Sequence, residues 1–106
     1  MTNDNLPGAA GDLAQQHPDI WAAYSELGAA IAASGGLNDR EKRLVKLALA
    51  IGAGSEGAVH SHARRAMEED IPTADLYQTA FLAIGPLGFP RAVASWTWIK
   101  DLTERT

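Results

Sequence analysis

The chain has 106 residues, 46% of them hydrophobic, a formal net charge of -4 and no cysteine. A length of that order predicts one domain, here residues 1–106, that buries about two-thirds of its unfolded surface. The acidic balance argues against a nucleic-acid or anionic-membrane partner, which would call for a basic patch. The absence of cysteine excludes a disulfide framework, a zinc-thiolate site, an iron-sulfur cluster and a thiol nucleophile. No leader-like or membrane-spanning run is evident, so a cytoplasmic location is expected.

In chain order the pattern predicts helices and no strands. Residues 1–8 read as a loose start, and Ala9 to Gln16 have helical composition, stopping at His17-Pro18 because proline disfavours helical geometry in the residue before it. Pro18 suits the first turn of a second helix, with Asp19 favourable near its N-terminus. Ile20, Tyr24, Leu27 and Ile31 mark one face of it, and Ser34-Gly35-Gly36 ends it.

The clearest start signal follows. Asn38 caps a third helix, with Glu41 at the reciprocal position of a capping box. Leu44, Leu47, Ala48 and Ile51 are expected inside and Lys42 and Lys46 outside. Gly52 and Gly54 close this helix, and Ser55 caps a fourth that ends near Asp70. Thr73 is placed to cap a fifth, Leu76 to about Ile84, broken by Gly85-Pro86. A last helix begins at Pro90 and carries Val93, Trp96, Trp98 and Ile99. Much of the apolar content is alanine, which packs helices closely but supplies little bulk, so association of subunits is expected to complete the burial.

The fourth helix holds the densest chemistry, G-S-E-G-A-V-H-S-H-A-R-R-A from Gly54 to Ala66. Ala58, Val59, His62, Ala63 and Ala66 share its apolar side, so His62 points inward while Ser61 and Arg64 lie toward the other side. His60 and His62, two residues apart, diverge by roughly 200°. They cannot chelate one metal, which requires the i, i+4 spacing, and no metal or other cofactor is expected. His62 is then either an acid/base group or a histidine whose ring is satisfied within the core. The residues alone leave both open.

Taken as an ordered set, four pieces resemble the carboxymuconolactone decarboxylase family, which also contains the alkylhydroperoxidase D-type proteins. They are L-N-D-R-E-K-R-L-V-K-L-A-L-A-I-G, the helix with H-A-R-R-A-M, I-P-T-A-D-L-Y-Q-T-A-F-L-A, and G-F-P-R-A-V-A-S-W. The similarity runs from about Leu37 to Leu102 and more weakly back to Pro18. It implies an all-α, alkylhydroperoxidase D-like subunit of about six helices, with an antiparallel pair at its centre, assembling with itself into a ring-like homotrimer or homohexamer.

The peroxidase branch of that family carries C-x-x-C-x-x-x-H, and those positions fall on Ser55, Ala58 and His62. The glutamate of that branch's proton relay falls on Arg43, with Glu41 two residues off. Serine and alanine cannot carry out dithiol redox chemistry, so peroxidase activity of that kind is excluded. The decarboxylase branch often has H-x-R-x-A, which His62, Arg64 and Ala66 fit. There the resemblance implies a cofactor-free lyase or isomerase acting on a small carboxylated metabolite, with His62 as general acid/base.

Arg64, Arg91 and Arg43 are candidates for holding the substrate's carboxylate, and Ser55 for a further hydrogen bond. Arg64 points away from His62 on its own helix, and a salt bridge to Glu68 is an equal reading. The alternatives are a family member that has lost the redox chemistry and binds a small ligand or a partner, and a scaffold subunit with a structural histidine. A pocket with a cationic wall beside His62 would favour the lyase. A pocket without one would favour the binder, and no pocket the scaffold. Trp96, Trp98, Phe89 and Phe81 are candidate pocket or core aromatics, with Trp98 preferred at a subunit interface.

Overall fold

The computed structural model describes residues 8–104. Most of the expected loose start, residues 1–7, lies outside them. Among these residues there are six helices of nine residues or more and one four-residue turn: α1 (Gly8–Gln16), α2 (Pro18–Ala32), α3 (Asp39–Ala53), α4 (Glu56–Glu68), α5 (Thr73–Leu82), α6 (Ile84–Leu87) and α7 (Phe89–Thr103). Among the described residues there is no strand, and the fold is all-α. The chain divides into two compact units, one ending at Gly36 and the other beginning at Leu37.

In the first unit α1 and α2 pack on each other. They part at His17, whose backbone (φ -135°, ψ 67°) leaves helical geometry just before Pro18, as a pre-proline residue is pushed to do. Ala14 and Trp21 are buried, and Trp21 meets Tyr24 with ring centroids 5.5 Å apart. The stripe Ile20, Tyr24, Leu27 and Ile31 is a regular apolar face, yet each of these residues is more than half exposed.

The second unit starts at the capping box expected from its sequence. Asn38 Oδ1 accepts from the Glu41 amide at 2.8 Å, and the Asn38 amide donates to Glu41 Oε1 at 2.8 Å. Two donors that the helix itself cannot satisfy are thereby paired. At the other end of α3 the chain turns within two residues. Gly54 takes the left-handed conformation (φ 66°) and Ser55 Oγ accepts from the Ala58 amide at 3.2 Å to open α4. The brevity of that turn makes α3 and α4 an antiparallel pair.

The core of this unit is Leu47, Ala50 and Ile51 from α3, Val59, Ala63 and Ala66 from α4, Ile71, Leu76, Ala80 and Ala83 from the α5 region, and Ala92 and Ile99 from α7. Six of the twelve are alanine, so the helices approach closely rather than interdigitating long side chains. Trp96 and Trp98 pack partly buried against this cluster, so within the chain Trp98 is a core-flanking residue.

Local expectations are corrected in three places. Ala48 is exposed, because the buried stripe of α3 runs through Leu47, Ala50 and Ile51, one position away. Lys42 is partly buried. Thr73 is the first residue of α5 and not its cap; Pro72 holds the cap position in extended conformation, without a side-chain hydrogen bond. A helical turn of its own, α6, follows α5 across Ala83, and Pro86 sits inside it.

Candidate functional site

Two of the five candidate residues come together. Arg43 lies on α3 one turn before Leu47, and His62 lies on α4 between Val59 and Ala63, both fully buried. The antiparallel packing of α3 and α4 brings Arg43 Nη1 to 2.9 Å from His62 Nδ1. The same guanidinium continues to Glu69, with Nε to Oε1 and Nη2 to Oε2 both at 2.9 Å. Such paired, charge-assisted bonds fix the plane of an arginine as well as its position. The Arg43 side chain is 13% exposed and that of Glu69 43%, so the relay runs from a solvent-facing carboxylate through a largely buried cation to a part-buried imidazole.

The surrounding charge is lopsided. Burial pushes the His62 imidazole down from its usual 6.5 to about 4, and Arg43, Arg65 and Lys46 push the same way while Glu69 opposes them. His62 is therefore neutral near pH 7. The hydrogen bonds from Arg43 hold the Glu69 carboxyl below the usual range, against the opposing effect of its partial burial.

The other three candidates lie apart from this relay. Ser55 is the N-cap of α4, its oxygen already accepting a backbone hydrogen bond, and seven residues separate it from His62, roughly 10 Å of helical rise. Arg64 pairs with Glu68 at 3.8 Å on the same helix. Arg91, from α7, donates through Nη1 to the carbonyls of Ile51 at 3.2 Å and Gly52 at 2.9 Å, so it neutralises the C-terminal end of α3. Its guanidinium fills the place a Cβ at Gly54 would take, 2.9 Å away.

His60 takes a different partner, Asp101 Oδ2 on α7 at 3.0 Å. The two histidines thus diverge, and among the described residues no three His, Asp or Glu side chains gather as a metal-ligand set.

Glu69 was missed by sequence reasoning although a signal for it existed. It stands seven residues after His62, two helical turns on, and so on the same side of α4.

A second feature lies at the other end of α3. A groove of about 450 Å³ is bounded by Leu49 and Gly52 of α3, Thr79 and Leu82 of α5, and Pro86 and Leu87 of α6. No charged side chain lines it, and neither His62 nor any of the four candidate aromatics does. Phe81 and Trp96 instead meet each other at 6.1 Å, with Lys100 Nζ 4.3 Å from the Trp96 ring centre, and Phe89 is 65% exposed.

An all-α fold with an antiparallel helix pair, an inward histidine on the second helix of that pair and no thiol beside it defines a class of cysteine-free relatives of the alkylhydroperoxidase D-type proteins. The chain belongs to the carboxymuconolactone decarboxylase family, whose pattern it matches over residues 18–101. A search of curated proteins gives no match. Among the described residues no helix is long and apolar enough to cross a membrane.

Proposed function

We propose that the protein is a cofactor-free lyase or isomerase that acts on a small carboxylated metabolite, with His62 as its acid/base group. The observation that carries this reading is the charge around His62. Three cations, Arg43, Arg65 and Lys46, act on the ring against one carboxylate, Glu69. A part-buried site with such an excess attracts an anionic substrate and strengthens its hold on a carboxylate. Arg43 contributes to that field while bonded to His62 and Glu69. Strongly shifted titratable groups in such surroundings are also where acid/base chemistry is found.

The experiment is to follow turnover of a panel of small unsaturated lactone acids, by carbon dioxide release and by ultraviolet absorbance, for the native protein and His62→Ala. Loss of about 10²–10⁴-fold with His62→Ala is the size expected for removal of an acid/base group. Equal turnover in both proteins would sink the reading.

A second reading has its own observation. The uncharged groove beside Leu49 and Leu82 is suited to an apolar ligand or to a partner's side chains, and it lies away from His62. It supports a non-catalytic binding oligomer, and absence of turnover on the whole panel would favour it. Under either reading we propose self-association as a homotrimer or homohexamer in the cytoplasm. The exposure of Ile20, Tyr24, Leu27 and Ile31 on α2 and of Leu49, Leu82 and Phe89 in the second unit supports association. Sedimentation of the native protein as a single 11.2 kDa species would rule it out.

A further inference from the structure

The contact between Arg43 and His62 carries more than proximity. Guanidinium has only N–H donors and stays protonated throughout the range in which proteins are folded. A guanidinium nitrogen 2.9 Å from Nδ1 therefore meets an unprotonated nitrogen. Neutral imidazole has one N–H, and with Nδ1 accepting, that N–H is at Nε2. Arg43 is not free to turn aside, because Glu69 holds its Nε and Nη2 and leaves Nη1 for the histidine.

We infer that Arg43 is a positioning residue that locks His62 in the Nε2–H form, so that the site offers a ligand oxygen a hydrogen-bond donor and withholds a base. The inference rests on the reading of His62 as the group that meets the substrate, and it narrows the acid/base role proposed above to that of a neutral N–H donor. Nε2 has no hydrogen-bond partner among the described residues and is not sealed in the core. It is the ring atom left to meet a ligand. A fixed neutral N–H polarises a carbonyl or steadies the negative oxygen of an enolate without giving up its proton in the resting state. The class of ligand is accordingly a small molecule that presents a carbonyl or carboxylate oxygen, and an ammonium compound is excluded by donor-to-donor contact as well as by charge.

Protonation of the ring would work against this arrangement from every side. It would set an Nδ1–H against the Arg43 N–H. The other charged groups acting on His62 are Lys46 from α3, Arg65 from α4 itself and Glu69 just beyond it. From the remaining packed helices, Asp101 of α7 is taken by His60 and Asp75 of α5 by Arg40. Glu69 alone opposes the cations, and its two oxygens already serve Arg43.

The test is ¹⁵N imidazole NMR on the full chain, native and as Arg43→Met, with Glu69→Gln as a milder second variant at a part-exposed position. In the native protein Nδ1 should show the shift of an unprotonated, hydrogen-bonded nitrogen and Nε2 that of a protonated one, down to a titration midpoint of about 4. Arg43→Met should move that midpoint up toward 6.5 and weaken the hydrogen-bond signature at Nδ1, whereas Glu69→Gln should weaken that signature by loosening its hold on Arg43 and, by removing the one carboxylate that opposes the cations, should not raise the midpoint. A proton on Nδ1 in the native protein, or an Nδ1 hydrogen-bond signature that neither variant weakens, would overturn the inference.

Ligand titrations then separate this from the functional reading. With succinate as the probe, the native protein and His62→Gln, whose amide N–H lies near the place of Nε2, should bind within a few-fold of each other, while His62→Asn should lose binding. Loss in Gln and Asn alike would overturn the donor role. Failure of succinate to perturb the native His62 signals counts against the carboxylate ligand of the proposed function, and the state of the ring is read without it.

Discussion

The two ends of α3 stand next to opposite chemistry, and each is met by an arginine. At the N-terminal end Arg43 occupies a position in register with the buried stripe of Leu47, Ala50 and Ile51, and it is held on both sides, by His62 and Glu69. At the C-terminal end Leu49 and Gly52 open on an uncharged groove, and the cation nearby, Arg91, comes from another helix to satisfy the last carbonyls of α3. A polar residue in a core register is tolerated when all of its donors find acceptors. Arg43 is bonded at each of its three nitrogens, one of them to a histidine, which ties the chemistry of the site to the packing of the helix pair.

Breaking the helix between its two ends should have the largest effect. Leu47 is fully buried one turn after Arg43, and Leu47→Ala should cost about 2–5 kcal/mol in denaturant unfolding. It should also loosen Arg43 from His62, read as a rise in the imidazole midpoint.

Gly54→Ala strikes the other end. A non-glycine residue at φ 66° is strained by about 1–2 kcal/mol, and the new Cβ would displace the Arg91 guanidinium. Unfolding should register the loss while the His62 titration stays unchanged, because the polar relay is built from the opposite end.

Acidification separates the ends by charge. His62 has a lowered midpoint in the folded chain, so the unfolded chain takes up more protons between about pH 6.5 and about 4, and stability falls as pH drops through that window. Glu69, also lowered, is protonated first in the unfolded chain, so its contribution is present above pH 4.5 and is lost below it, as pH falls through the folded value. His62→Gln should abolish the upper loss and leave the lower. A single acid transition of unchanged shape in His62→Gln would show that the upper window belongs to another group.

Much of the architecture was legible because its signals are local. The capping box at Asn38 and Glu41, the pre-proline break at His17 and the Gly54-Ser55 turn each depend on residues within four positions of one another. The inward direction of His62 followed from the apolar spacing of α4. The assignment of α3's buried face was offset by one residue, placing Ala48 inside, and that shift hid the burial of Arg43. The relay also joins positions 26 residues apart. No spacing rule says which cation the α3–α4 packing will lay against which imidazole. Arg64 and Arg91 are as well placed in sequence as Arg43, and the structure spends them on Glu68 and on the α3 carbonyls.

Ser95 supplies the smallest test of the same contrast. It lies on α7 one turn after Arg91 and is fully buried, and its hydroxyl has no hydrogen-bond partner. Where Arg43 sits in a core register with a partner at each of its three nitrogens, the Ser95 hydroxyl sits in one with none. An unpaired buried hydroxyl carries a desolvation penalty of about 1–3 kcal/mol by mutational measures, partly offset by the packing of its oxygen. Ser95→Ala keeps the Cβ, removes the polar atom and has the better helix propensity. The variant should therefore be more stable by up to about 1 kcal/mol, on the order of 4–8 °C in Tm for a domain of this size. The His62 titration should not move. A loss of stability would mean that the hydroxyl is answered in solution by a buried water or by a second subunit, in which case the Ser95 region of α7 belongs to an interface or a hydrated channel and not to a dry core.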